Sequence, residues 1–147
     1  MIELIILPFL YLFLRWYYYY GEGTTEASLW KISKPHTPEF SENYHKFREL
    51  VENMGHRLLV AIMTVVVWGW KGLLIWLGCE LSGLCIYELK FRHIKYDGDW
   101  KHQKDGYYRI PIFGKIIEIR YPSAAAMIFT GMFGLIVFAI TVRIMNI

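Results

Sequence analysis

The sequence predicts an all-α integral membrane protein with three or four transmembrane or re-entrant helices, an amphipathic interfacial helix and a small juxtamembrane β-hairpin. Three observations support this prediction. Hydrophobic residues make up 55% of the chain and aromatic residues 18%, more than soluble domains usually contain. Residues 58–89 form one long apolar stretch, and residues 123–142 contain no charged side chain. With a length of 147 residues, a single membrane domain over residues 1–147 is expected.

The N-terminal residues 1–20 predict a retained membrane anchor that begins or kinks near Pro8. They have neither the basic start nor the small-residue cleavage site of a secretory signal. They end instead in arginine, tryptophan and four consecutive tyrosines, side chains that favour the membrane–water interface. Two glycines and two threonines within residues 21–25 then predict an irregular polar connection.

An amphipathic helix is predicted over residues 38–57, with Thr37 as its N-cap and Pro38 in its first turn. Apolar side chains recur at alternating steps of four and three residues, which places them on one face. These positions are Phe40, Tyr44, Phe47, Val51, Met54 and Leu58. We expect this helix to lie along the membrane surface or against a partner.

Residues 58–89 predict a helical hairpin. One continuous helix of this length would measure about 48 Å, whereas the hydrocarbon core of a bilayer is about 30 Å thick. Residues 68–72 contain two tryptophans, a lysine and two glycines, which suit a turn at the interface. A hairpin also places the six basic residues of 15–57 and the eight of 90–122 on one side, whereas a single span would divide them. Both large polar loops are therefore predicted to be cytoplasmic.

Residues 94–122 predict a polar loop that contains the β-hairpin. Asp97-Gly98 and Asp105-Gly106 are turn signals, and the residues on both sides of Gly114 are rich in β-branched and aromatic side chains. Pro111 has no amide hydrogen to donate to a neighbouring strand. Its own strand is therefore expected at the edge of the sheet.

Residues 123–142 predict the clearest transmembrane helix, because 20 residues without a charge match the thickness of a bilayer. Within it, Ala126, Thr130 and Gly134 recur every four residues. Such a helix-packing face lets a second helix approach closely. We interpret this face as a contact with a partner helix.

Glu80 is the most unusual residue of the predicted hairpin, because an ionisable group near mid-membrane is costly unless it is neutralised or paired. Helical spacing puts Tyr87 on the same face, as a hydrogen-bond partner in an intramembrane polar site. One interpretation is a protonatable functional site or a contact with another subunit. The other is a protonated glutamic acid that is satisfied within the bundle or lies nearer the interface. Protonation would make Glu80→Gln harmless for folding.

A second set of polar residues lies on the face of the amphipathic helix opposite its apolar stripe. The candidate metal ligands there are His45, Glu49, Glu52 and His56. Glu42 and His45 match the Glu-x-x-His pattern of di-iron bundles once, but a second copy and further carboxylates on facing helices are not found. A solvated polar face is the alternative interpretation.

Three functions remain open at the level of sequence. The first is a non-catalytic, self-assembling or accessory subunit of a membrane complex, with the lipid bilayer and either further copies of the chain or other membrane subunits as partners. The second is a membrane-embedded metal-dependent enzyme that uses the His/Glu face. The third is a small ion or proton pathway, or a holin-like permeabiliser, lined by Glu80. The sequence requires no cofactor, and no nucleic-acid motif accompanies the net charge of +3.

Overall fold

The computed structural model describes residues 2–32, 55–102, 107–112 and 115–145. Side chains are described for residues 6–28, 55–102 and 120–145. In chain order, the elements are α1 (Ile2–Ile32), α2 (Arg57–Trp68), α3 (Trp70–Lys95), β1 (Tyr107–Ile112), β2 (Lys115–Arg120) and α4 (Ala124–Met145). The amphipathic helix predicted over residues 38–57 lies almost wholly outside the described residues, so it stays a prediction.

Helix α1 extends further than the predicted anchor. The predicted irregular connection at residues 21–25 is wrong, because the helix continues through them to Ile32. The hydroxyls of Thr24 and Thr25 donate to carbonyl oxygens one turn earlier, at 2.8 and 3.0 Å. A Cβ atom at Gly23 would lie 2.8 Å from the carbonyl oxygen of Tyr87, so glycine allows α3 to approach closely here. Packing against α3 thus overrides the weak helix propensity of these residues.

The break between α2 and α3 lies at Gly69. Its φ of 62° and ψ of −152° belong to a region that glycine adopts readily and other residues avoid. Arg57 Nε lies 3.6 Å from Glu80 Oε2, and a Cβ atom on Gly72 would collide with the carbonyl oxygen of Thr64. Arg57 and Glu80 stand at similar sequence distances on either side of Gly69, and so do Thr64 and Gly72. Helix α2 therefore folds back antiparallel onto α3 as a helical hairpin.

Helix α3 is the centre of the bundle. Arg15 and Gly23 of α1 meet successive positions along α3, so α1 runs parallel to it. Helix α4 runs antiparallel, because Gly134 lies against Gly78 whereas the Lys71 ammonium reaches the Ile144 carbonyl oxygen at 3.2 Å. The chain thus leaves α1 and α3 at the same end of the bundle, and it enters α4 there. The apolar core cluster between these helices comprises Leu12, Ile75, Cys79, Phe138 and Val142.

The segment between α3 and α4 contains a turn and two strands. Asp97 and Gly98 have positive φ angles of 51° and 100°, which end α3 in a tight turn. Strands β1 and β2 then pair antiparallel, with Ile110 opposite Ile117 and Pro111 opposite Ile116. Helix α4 begins with Ser123 as its cap, since the Ala126 amide donates to the Ser123 hydroxyl oxygen at 3.1 Å.

Two of the described helices, α3 and α4, are long and apolar enough to cross a membrane, which suggests membrane association. Helix α2 is also apolar, but its 12 residues measure only about 18 Å. Large apolar side chains are exposed on each of the four described helices, with Phe13, Val66, Leu73 and Phe129 among them.

Candidate functional site

The most unusual site of the bundle is a buried ion-pair cluster, the Glu80 cluster, formed by Arg15, Tyr19, Arg57 and Glu80. Glu80 and Arg15 are each only 5% exposed. The Arg15 guanidinium pairs with Glu80 Oε1, and the Tyr19 hydroxyl donates to Oε2. Arg57 approaches Oε2 from the start of α2 at 3.6 Å. Two guanidiniums and one hydroxyl thus surround a single carboxylate.

Three helices build this cluster. Arg15 and Tyr19 are one turn apart on α1, so they face α3 together. A Cβ atom on Gly83 would collide with the Tyr19 ring, so this glycine makes room for the ring beside Glu80. Arg57 is the first residue of α2, and the hairpin folds it back to the level of Glu80. Two guanidiniums flank the aromatic ring, because Arg15 and Arg57 lie 5.1 and 5.8 Å from the Tyr19 centroid.

The arginine partners of Glu80 were not identified from the sequence. Arginine keeps its charge in proteins, so Glu80 has two cations beside it. The sequence does contain a signal for this pair, because Arg15 is the single Lys or Arg among residues 1–20. Its partner Glu80 is 65 residues away along the chain. An isolated cation and an isolated anion in two apolar segments indicate each other as partners.

Tyr87, the other residue of the predicted intramembrane site, is not brought to Glu80. Its hydroxyl donates to Glu26 of α1, two turns further along α3. The two residues share a helical face, as the spacing predicts, but each finds its partner on α1. A third contact links the same helices, in which Trp16 Nε1 donates to the Ser82 hydroxyl at 2.9 Å.

A second buried ion pair closes the far end of α3. Arg92 is fully buried, and its Nε lies 3.4 Å from Glu88 Oε2. Its two terminal nitrogens donate to the carbonyl oxygens of His102 and Pro122, at 3.3 and 2.6 Å. Arg92 thus fastens both ends of the segment between α3 and α4 to the bundle.

Replacing Arg92 by methionine is expected to loosen residues 96–123 without unfolding the helices. Each hydrogen bond to a charged group contributes about 1.5–3 kcal/mol, so cleavage of this segment by a protease should become roughly tenfold faster or more. Limited proteolysis of the detergent-solubilised protein measures this rate. Lys101→Met, at an exposed position of the same segment, is the control. Equal cleavage rates for both variants would contradict the fastening role.

The candidate metal site cannot be assembled from the described residues. His45, Glu49 and Glu52 lie outside them, whereas the His56 ring lies against Tyr18, with ring centroids 5.3 Å apart and the planes tilted by 37°. Within the described residues, no three His, Cys, Asp or Glu side chains come together as possible metal ligands. The metal interpretation thus depends wholly on the undescribed part of the amphipathic segment.

The structure buries only part of the predicted helix-packing face of α4. Gly134 is buried, and a Cβ atom there would lie 2.8 Å from the Gly78 carbonyl oxygen. Ala126 is exposed, and the Thr130 hydroxyl donates back to its carbonyl oxygen at 2.9 Å. Gly131 belongs to the buried face, because a Cβ atom there would lie 2.7 Å from Cys85 Cβ. The close helix contact at Gly134 is therefore made with α3 of the same chain.

No protein-family model matches this sequence, and no curated protein or solved structure is significantly similar to it. Function must therefore be inferred from the geometry of the chain itself.

Proposed function

We propose that this chain is an integral membrane protein that acts, without catalysis of its own, as a self-assembling or accessory subunit of a membrane complex. The single observation that supports this most is the inverted distribution of side chains. Charged residues such as Arg15, Glu80 and Arg92 are buried, whereas leucine, isoleucine, valine and phenylalanine side chains cover the outside of the helices. In water this arrangement is unfavourable on both counts, and in a bilayer it is favourable on both.

The polar groups of the interior favour a structural role over a catalytic one. Glu80 is engaged by Arg15, Tyr19 and Arg57, and Tyr87 is engaged by Glu26. A proton carrier or a general base needs access to water or substrate, but the Glu80 carboxylate is nearly inaccessible. Fixed pairs of this kind hold helices in register.

The face of α2 is the surface that best fits a partner. This helix is about 18 Å long, so it reaches only part of the way through a bilayer core of about 30 Å. Arg57, the first residue of α2, lies beside Glu80, and 34% of the Arg57 side chain is exposed. Glu80 is about midway along α3 between Lys71 and Lys90. A guanidinium at that depth is unfavourable against lipid tails. Protein contact on this face would remove that cost.

The shared end of the bundle supports the proposed sidedness. The chain leaves α1 and α3 at this end, and Lys90, Arg92 and Lys95 lie on the last turns of α3. Basic residues next to membrane spans favour the cytoplasmic side. We place this end, and with it both polar loops, in the cytoplasm.

A photo-crosslinking experiment tests the assembly proposal. Val66 on α2 and Phe129 on α4 are matched in exposure, at 74% and 72%. A benzophenone amino acid at position 66 is expected to give an adduct with another polypeptide in native membranes. The same probe at position 129 is expected to give none, because we place that side chain against lipid.

Mass spectrometry of the adduct distinguishes a second copy of the chain from a different subunit. An absence of polypeptide adducts at position 66, or equal adducts at both positions, would refute α2 as the assembly face.

A further inference from the structure

A groove of about 540 Å³ runs along the outer side of α1, with a wholly apolar lining. Ile86 of α3 completes one wall of this groove. The α1 residues in its lining are Leu10, Phe13, Leu14, Trp16, Tyr17 and Tyr20. From Leu10 to Tyr20 the groove extends about 15 Å along the helix, half the thickness of a hydrocarbon core.

The lining changes in character along this length. Leu10, Phe13 and Leu14 lie at one end, and Trp16, Tyr17 and Tyr20 follow toward the other. Trp16 donates a hydrogen bond to Ser82, two residues from Glu80, so the aromatic residues begin near the middle of the bundle. The groove therefore runs along α1 from its apolar end at Leu10, past the middle of the bundle, to its aromatic end at Tyr20.

A cation stands at the aromatic end of the groove. Lys90 Nζ lies 4.5 Å from the centroid of the Tyr20 ring. Among the residues that the structure describes, no carboxylate forms an ion pair with this ammonium. Its position complements a negative group held at the headgroup level above the groove.

We infer that this groove binds an anionic phospholipid, with one acyl chain along α1 and the headgroup beside Lys90. The inference rests on the membrane location proposed above. A helix from a partner would fill the apolar part of the groove equally well, but it would not account for Lys90, which pairs with no carboxylate among the described residues. The positive charge of Lys90 beside the end of an apolar groove favours the lipid.

Native mass spectrometry with added lipid tests this inference. The protein in detergent micelles is titrated with phosphatidylglycerol and, separately, with phosphatidylcholine of the same acyl chains. The wild-type protein is expected to bind phosphatidylglycerol more tightly. Lys90→Gln should lower the affinity for phosphatidylglycerol about fivefold, the effect of one lysine near an anionic lipid surface, and leave phosphatidylcholine binding unchanged. Leu14→Trp should weaken binding of both lipids, because its ring occupies the groove.

Lys101→Gln is the matched control, since Lys101 also lies over an aromatic ring, 5.1 Å from the Trp100 centroid, but away from the groove. Equal affinities of the wild type for the two lipids, or equal effects of Lys90→Gln and Lys101→Gln, would overturn the lipid inference alone. A dimer that forms in proportion to the loss of bound lipid would show that a second copy occupies the groove instead. A protein that remains soluble without any detergent would refute the membrane location itself.

Discussion

Replacing Glu80 by leucine is expected to lower the free energy of unfolding by about 3–5 kcal/mol, the typical cost of removing one partner from a buried ion pair. The substitution leaves the Arg15 guanidinium and the Tyr19 hydroxyl without their acceptor. Arginine cannot escape this cost by losing its proton. Unfolding in bicelles with increasing sodium dodecyl sulphate, followed by circular dichroism, measures the change.

The control is a double-mutant cycle that measures the coupling between Glu80 and Arg15. Arg15→Met alone should cost less than Glu80→Leu, because Tyr19 and Arg57 remain beside the carboxylate. The double variant should recover much of the loss, since an apolar pair of similar size replaces the ion pair and leaves no charge unpaired except the partly exposed Arg57. Strictly additive losses would contradict a coupled pair.

Glu80→Gln separates the structural account from the one that the sequence alone supports. A protonated Glu80 would tolerate glutamine, whereas a carboxylate that neutralises Arg15 would not. Glutamine keeps an acceptor for Tyr19 but removes the charge opposite the guanidinium. We now expect Glu80→Gln to be destabilising, and wild-type stability of this variant would restore the protonated interpretation.

The sequence reveals those features of this fold that depend on neighbours along the chain. The turn at Gly69 could be located because tryptophans, a lysine and glycines stand side by side there. The apolar run of α4 could be located because it is uninterrupted. The importance of Glu80 followed in the same way from its apolar flanks. Each of these inferences needs only one segment and the physics of a bilayer.

Features that depend on contacts between segments could not be predicted in this way. Helical spacing on α3 alone indicated Tyr87 as the partner of Glu80, but the actual partners belong to α1 and α2. The glycines of residues 21–25 indicated a loop, because their packing against α3 is invisible in the local sequence. A small residue on one helix likewise does not say whether the second helix is in the same chain.

Gly134 of α4 shows how this last ambiguity is resolved by experiment. Gly134→Leu is expected to destabilise the monomeric fold by about 1–3 kcal/mol or more, because the added side chain needs space that α3 already fills. A Cβ atom there would lie 2.8 Å from both the Gly78 carbonyl oxygen and Leu81 Cβ, and 2.9 Å from the Ser82 nitrogen. Backbone atoms cannot move aside as a flexible side chain can, so α3 and α4 would have to separate.

Ala126→Leu is the matched control on the same helix, because it adds a similar apolar bulk at an exposed position. We expect it to change the stability by less than about 0.5 kcal/mol. The same bicelle titration measures both variants, and native mass spectrometry reports their association. If Gly134→Leu kept wild-type stability and lost only its association with other chains, the glycine would face a partner, and the internal crossing of α3 and α4 would be refuted. Loss of stability at position 134 with none at position 126 would instead establish that the close contact of small residues joins helices of one chain, and would leave the exposed face of α2 as the surface for assembly.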